Sequence, residues 1–168
     1  MPAGRRRAVG LVIALSTQLG ACQSYADPAG PMRFGNGRID VCAPLTDAYR
    51  HMVFEQYLRI PGRGTATIED VQPRDAQGLH VTRYLVVVDP RTASVGAVPY
   101  PPESAAWQQA EPALGAEVPR GRPVFMVADV RVDDVDGGTL AGSEIGYRVD
   151  GRSYRATGTT TLTVGRDC

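Results

Sequence analysis

Apolar and polar residues alternate with a period of two over most of the chain beyond residue 38, the spacing of strands that bury one face. In "LHVTRYLVVV" (79–88), Leu79, Val81, Leu85 and Val87 fall on one side and His80, Thr82 and Tyr84 on the other. "PVFMVADVRV" (123–132) sets Val124, Met126, Ala128, Val130 and Val132 against Phe125, Asp129 and Arg131. In "EIGYRVDGRSYRATGTTTLTV" (144–164), Asp150-Gly151 is a two-residue hairpin turn of the kind that tolerates positive φ. That turn predicts Val149 opposite Arg152, Tyr147 opposite Tyr154 and Ile145 opposite Ala156, on one face with Leu162 and Val164. Arg148, Asp150, Ser153 and Arg155 then share the wet face.

"PLTDAYRHMVFEQYLRIPG" (44–62) fits a helix nearly as well as a strand. Its aromatic and β-branched residues favour a strand from about Arg50 to Ile60, with Met52, Phe54, Leu58 and Ile60 inward and "PGRG" turning into "TATIEDV". The stretch 90–123 carries seven prolines and the one tryptophan, so it is expected to run as loop or sheet edge. About six or seven strands separated by turn signals imply an all-β fold, an immunoglobulin-like antiparallel β-sandwich over residues 38–168.

The N-terminal stretch has a different grammar. Arg5, Arg6 and Arg7 precede an apolar run from Ala8 to Leu15, and small residues Gly20 and Ala21 follow, the three parts of an export signal. The run is shorter than the about 20 apolar residues that span a bilayer. Leu19-Gly20-Ala21-Cys22 resembles the bacterial lipobox, in which the signal is cut before a cysteine that carries diacylglycerol. The resemblance makes residues 1–21 a lipoprotein signal peptide and Cys22 the lipidated residue. Residues 23–37, "QSYADPAGPMRFGNG", are rich in Gly, Pro and small polar residues, so 22–37 is expected to be a flexible tether. The arginines also hint at a twin-arginine export route.

Cysteine parity agrees with a lipid on Cys22. The chain holds Cys22, Cys42 and Cys168, and an odd count in an exported protein needs a reason. With Cys22 lipidated, Cys42 and Cys168 can pair in an oxidising compartment. Such a bridge closes most of the domain and is worth about 4 kcal/mol in the chain-entropy account.

The basic residues are all Arg, a composition that fits a GC-rich genome. Residues 1–21 hold three of the 18 basic side chains and none of the 18 acidic ones, so the mature chain has 15 against 18, a net charge of −3. That balance argues against nucleic acid and against an electrostatic hold on anionic lipid, leaving the Cys22 lipid as the membrane contact.

The strand around Cys42, "LRIPGRGTATIEDVQP" with "GLHV" after it, the Pro-rich loop holding Trp107, and the closing "YRVDGRSYRA" hairpin with its final Cys resemble uncharacterised actinobacterial lipoproteins with an immunoglobulin-like domain. The resemblance implies an envelope location and no activity.

Candidate chemistry is sparse. The only histidines are His51 and His80, and there is no GxSxG, so no catalytic residues are assigned and the chain is not expected to be an enzyme. "DDVDGG" (133–138) has the opening of a calcium loop but not its distal Glu, and reads as a solvated turn. "IEDVQPRDAQGLHV" (68–81) is similar to the approach to a copper-chaperone histidine, with Met126 as a soft partner for His80. Strand parity opposes that pair, since Met126 lies on a core face and His80 on a wet one. Trp107 is expected to plug one end of the sandwich, and Tyr147 and Tyr154 to lie in the core. The expectation is a protein held on the outer face of the cell membrane by its Cys22 lipid, with no cofactor and no nucleic acid. It would act as a non-catalytic interaction or accessory module for an envelope protein. The alternative is a copper- or small-ligand-binding envelope protein using His80 and Met126.

Overall fold

The computed structural model describes residues 30–35, 37–88 and 96–168. The signal segment and Cys22 lie outside the described residues. The strands are β1 (Arg33–Phe34), β2 (Ile39–Pro44), β3 (His51–Arg59), β4 (Thr65–Pro73), β5 (Leu79–Val88), β6 (Ala97–Pro99), β7 (Glu111–Pro112), β8 (Glu117–Pro119), β9 (Pro123–Val132), β10 (Gly138–Leu140), β11 (Ser143–Val149), β12 (Arg152–Thr157) and β13 (Thr160–Gly165). The only helical pieces among the described residues are single 3₁₀ turns at Asp47–Tyr49 and Trp107–Gln109. Within the ambiguous segment 44–62, His51–Arg59 is strand, as its β-branched and aromatic content predicts, preceded by the 3₁₀ turn.

Three sheets form. A large sheet runs in the order β1-β3-β9-β5-β7, with β6 sharing the β3 edge with β1; a four-stranded sheet runs β12-β11-β4-β8; a three-stranded sheet runs β10-β13-β2. Among the described residues, all pairings are antiparallel except β13 with β2, which is parallel. The two smaller sheets lie side by side over the inner face of the large one in a sandwich-like arrangement. Leu58, Val86, Val124 and Met126 of the large sheet pack with Ile68, Val118, Ile145, Tyr147 and Val149 of the four-stranded sheet. Met52, Phe54, Ala128 and Val130 pack with Ala43, Leu140, Leu162 and Val164 of the three-stranded sheet. Burying each of the Val, Leu, Ile, Phe and Met side chains among them stabilises the fold by about 1.5–3 kcal/mol before entropy is counted.

The hairpin forms with the anticipated register, Tyr147 opposite Tyr154 and Ile145 opposite Ala156, over a turn with Asp150 and Gly151 at positive φ. Beyond it the chain does what alternation alone could not reveal. After Gly158 it leaves the four-stranded sheet, so Leu162 and Val164 pack in the other core. The switch is close-packed: a Cβ on Gly158 would collide with Gln56 Oε1. Gln56 is fully buried at this junction and donates to Ser143 Oγ at 3.1 Å, which in turn bonds the Tyr84 hydroxyl.

Two expectations are corrected. The β5–β9 register shifts between Val81 and Arg83. A bulge reverses strand parity, so Tyr84 and Val86 point inward while Leu85 and Val87 join the opposite face with Phe125 and Val127. Second, residues 30–35, assigned to the tether by composition, are part of the fold. Met32 is buried, its N–H donates to the Tyr147 hydroxyl at 2.8 Å, and β1 pairs with the end of β3.

The bridge between Cys42 and Cys168 is present. It ties β2 to the residues just after β13, strands that are already parallel neighbours.

Candidate functional site

The outer face of the large sheet is apolar enough to need a cover, and the Pro-rich segment supplies it. From β6 on the β3 edge, residues 97–112 cross to β7 on the β5 edge. Val53, Leu85, Val87, Phe125 and Val127 lie beneath, with Tyr57, Tyr100, Ala106, Trp107 and Ala110 packed against them. Trp107 thus seals a sheet face, not the sandwich end where sequence placed it.

One carboxylate organises this strap. β9 aims Asp129 at the outer face, where its side chain is 5% exposed. His51, on β3, donates Nε2–H to Oδ1 at 2.6 Å; Arg83, turned outward by the bulge, donates from Nε to Oδ2 at 2.9 Å. Thr82 donates its hydroxyl to the Asp129 carbonyl at 3.2 Å. Burial pushes the Asp129 carboxyl upward, but hydrogen bonds led by those from His51 and Arg83 outweigh it and hold the group below the usual carboxylate range.

The two partners carry the hold to the strap. Arg83 reaches the Tyr100 hydroxyl at 3.2 Å, and the His51 ring stacks on Tyr100 with centroids 3.9 Å apart. Trp107 meets Tyr100 edge to face at 5.7 Å, with the Arg83 guanidinium 6.0 Å over its ring. The sequence pointed to none of this, because His51, Arg83, Tyr100 and Asp129 are far apart along the chain and the bulge hides Arg83's side. The signal available was Asp129 itself, a lone acid in an apolar strand, which is buried only when partnered.

Glu55 lies under the same face, one strand position from Gln56. It is half-buried, and burial raises its pKa to about 7. Its backbone N–H donates to the Gly96 carbonyl at the start of the strap.

The copper candidates separate. Met126 is fully buried in the core with the four-stranded sheet, whereas His80 is exposed on the opposite face, directly across from Arg131. They cannot ligate one ion together. Among the described residues no group of three or more His, Cys, Asp or Glu is placed to hold a metal ion. In the "DDVDGG" turn Asp134 accepts from the Asp136 N–H, an ordinary Asx-type turn bond.

No protein-family model matches the chain, and no curated protein matches it. A solved structure it is similar to is the N-terminal domain of PorA, at a TM-score of 0.31 and 10% identity, covering 80% of this chain and 96% of that one. A likeness that remote adds nothing to what the site itself says.

Proposed function

We propose that the protein is a lipid-anchored module of the cell envelope, an immunoglobulin-like sandwich on the outer face of the membrane that works without catalysis by presenting its strap to a partner protein. The observation that carries this reading is the use made of Asp129. Both carboxylate oxygens are occupied by side chains that grip Tyr100, so the cluster's chemistry goes into fixing a Pro-rich, aromatic loop in one shape. A loop held rigid before binding loses less entropy on association. Val98, at the start of the strap, and Leu114, two residues beyond its end, are two of the three exposed large apolar side chains among the described residues. Cys22 in its lipobox-like setting supports the anchor, and the pairing of the other two cysteines leaves it unpaired for that use.

The test is photocrosslinking in the native envelope from a reactive residue at position 98, with one at Val135 as the control. A discrete protein adduct from 98, absent from 135 and lost with Asp129→Asn, is the expected result. An identical pattern from both positions, or no adduct from 98, refutes presentation by the strap.

A further inference from the structure

The mature chain's net negative charge conceals a polar distribution. β3, antiparallel to β9, puts residue 59 opposite 123 and residue 51 opposite 131, which defines two ends of the molecule. One end is built from residues 30–33, 59–64, 119–123 and 149–152, held together by Gly121 N–H to Ile60 O, Arg120 N–H to Gly64 O and the Arg120–Asp150 ion pair at 2.9 Å. It carries Arg33, Arg59, Arg63, Arg120, Arg122 and Arg152 against the single acid Asp150. The far end, residues 45–50, 74–78, 133–137 and 165–168, carries six aspartates against three arginines.

Two further observations give the basic end a direction. Arg33 and Arg59 are direct partners across the β1–β3 pair, and both are exposed. Like charges opposite one another on paired strands repel, and an anion between them removes that cost. The chain also enters the fold here, since Gly30 packs on Tyr154 and Arg33 donates to the Gly30 carbonyl at 2.5 Å. Only residues 23–29 separate Cys22 from Gly30, and eight steps of chain reach at most about 28 Å. A lipid on Cys22 would therefore keep the arginine end within about 28 Å of the bilayer.

We infer that this end is a second membrane contact, a surface for anionic phospholipid headgroups that orients the domain with its aspartate end outward. The inference rests on lipidation of Cys22 for its direction and reverses the expectation that the lipid is the sole contact. Arginine forks suit headgroup phosphates, and the attraction acts only within about one Debye length, 8–10 Å, so it operates once the tether has brought the end to the surface.

The experiment uses residues 22–168 with Cys22→Ser, a chain that keeps every described strand, all three cores and the disulfide. Its cosedimentation is measured with vesicles of equal parts phosphatidylglycerol and phosphatidylcholine, and with phosphatidylcholine alone. Binding is expected to the anionic vesicles only, and to vanish between about 50 and 500 mM salt. Arg59→Gln/Arg63→Gln/Arg152→Gln, three exposed positions whose side chains make no ion pair or hydrogen bond among the described residues, should weaken it about tenfold or more with an unchanged melting temperature. Asp133→Asn/Asp134→Asn/Asp136→Asn at the far end should leave it within about twofold. Equal binding to neutral vesicles, an unaffected arginine variant, or a far-end variant that changes binding as much, overturns the inference. Lipidation is read separately, as retention of the full-length protein in salt-washed membranes and its loss with Cys22→Ala, so either can fail alone.

Discussion

Asp129 shows how one residue can set the shape of a distant loop. It is 5% exposed and accepts from both His51 and Arg83, so Asp129→Ala strands two donors and releases Tyr100. A loss of about 2 kcal/mol on chemical denaturation is expected, with faster proteolysis inside 97–112. Its carboxyl is held below the ordinary range, so the stability it contributes is present above the unfolded value of 3.8 and is lost as pH falls through the lower folded one. Glu55 acts in the opposite sense. With a folded pKa of about 7 against 4.5 unfolded, the folded state holds a proton the unfolded chain has released, and stability falls as pH rises through that window. Glu55→Gln should therefore be more stable than wild type by about 1–3 kcal/mol at pH 8 and equal to it at pH 4, read from melting curves at both. Parity along single strands was enough to place His80 and Met126 on opposite faces. The partners of Asp129 come from three other segments, and no periodicity connects them.

Among the elements, those whose rules are local were legible from sequence: the Asp150-Gly151 hairpin with its register, and the strand character of β3. The misread ones were decided by tertiary placement. The bulge before Arg83 reversed the second half of β5, and β13 changed sheets at a glycine that alternation treats as one more position. Gly158→Ala tests that crossing. Because its Cβ would meet Gln56 Oε1 in a close-packed junction, a destabilisation of about 1–3 kcal/mol is expected, relieved in part by Gln56→Ala. An additive double mutant would show that the two residues do not share the space. The strap was foreseen as loop and edge from its prolines; that it roofs a sheet face follows from Phe125 and Val127, whose side of β9 looked wet because Asp129 and Arg131 share it.

In the molecule as a whole, the disulfide and the proposed Cys22 lipid have separate tasks. Cys42 and Cys168 close 126 residues of sequence, so Cys42→Ser/Cys168→Ser should lose about 4–5 kcal/mol on denaturation while keeping the fold's β-sheet signature. Cys parity made that bridge readable without coordinates. Charge placement was not readable, since a net charge averages an arginine end with an aspartate end. The proposed anchor at Cys22 is tested most directly by the intact mass of the protein extracted from its own membranes. It predicts a mature chain that starts at Cys22 and carries the added mass of a thioether-linked diacylglycerol. A chain cut elsewhere, or one starting at Cys22 with an unmodified thiol, contradicts it.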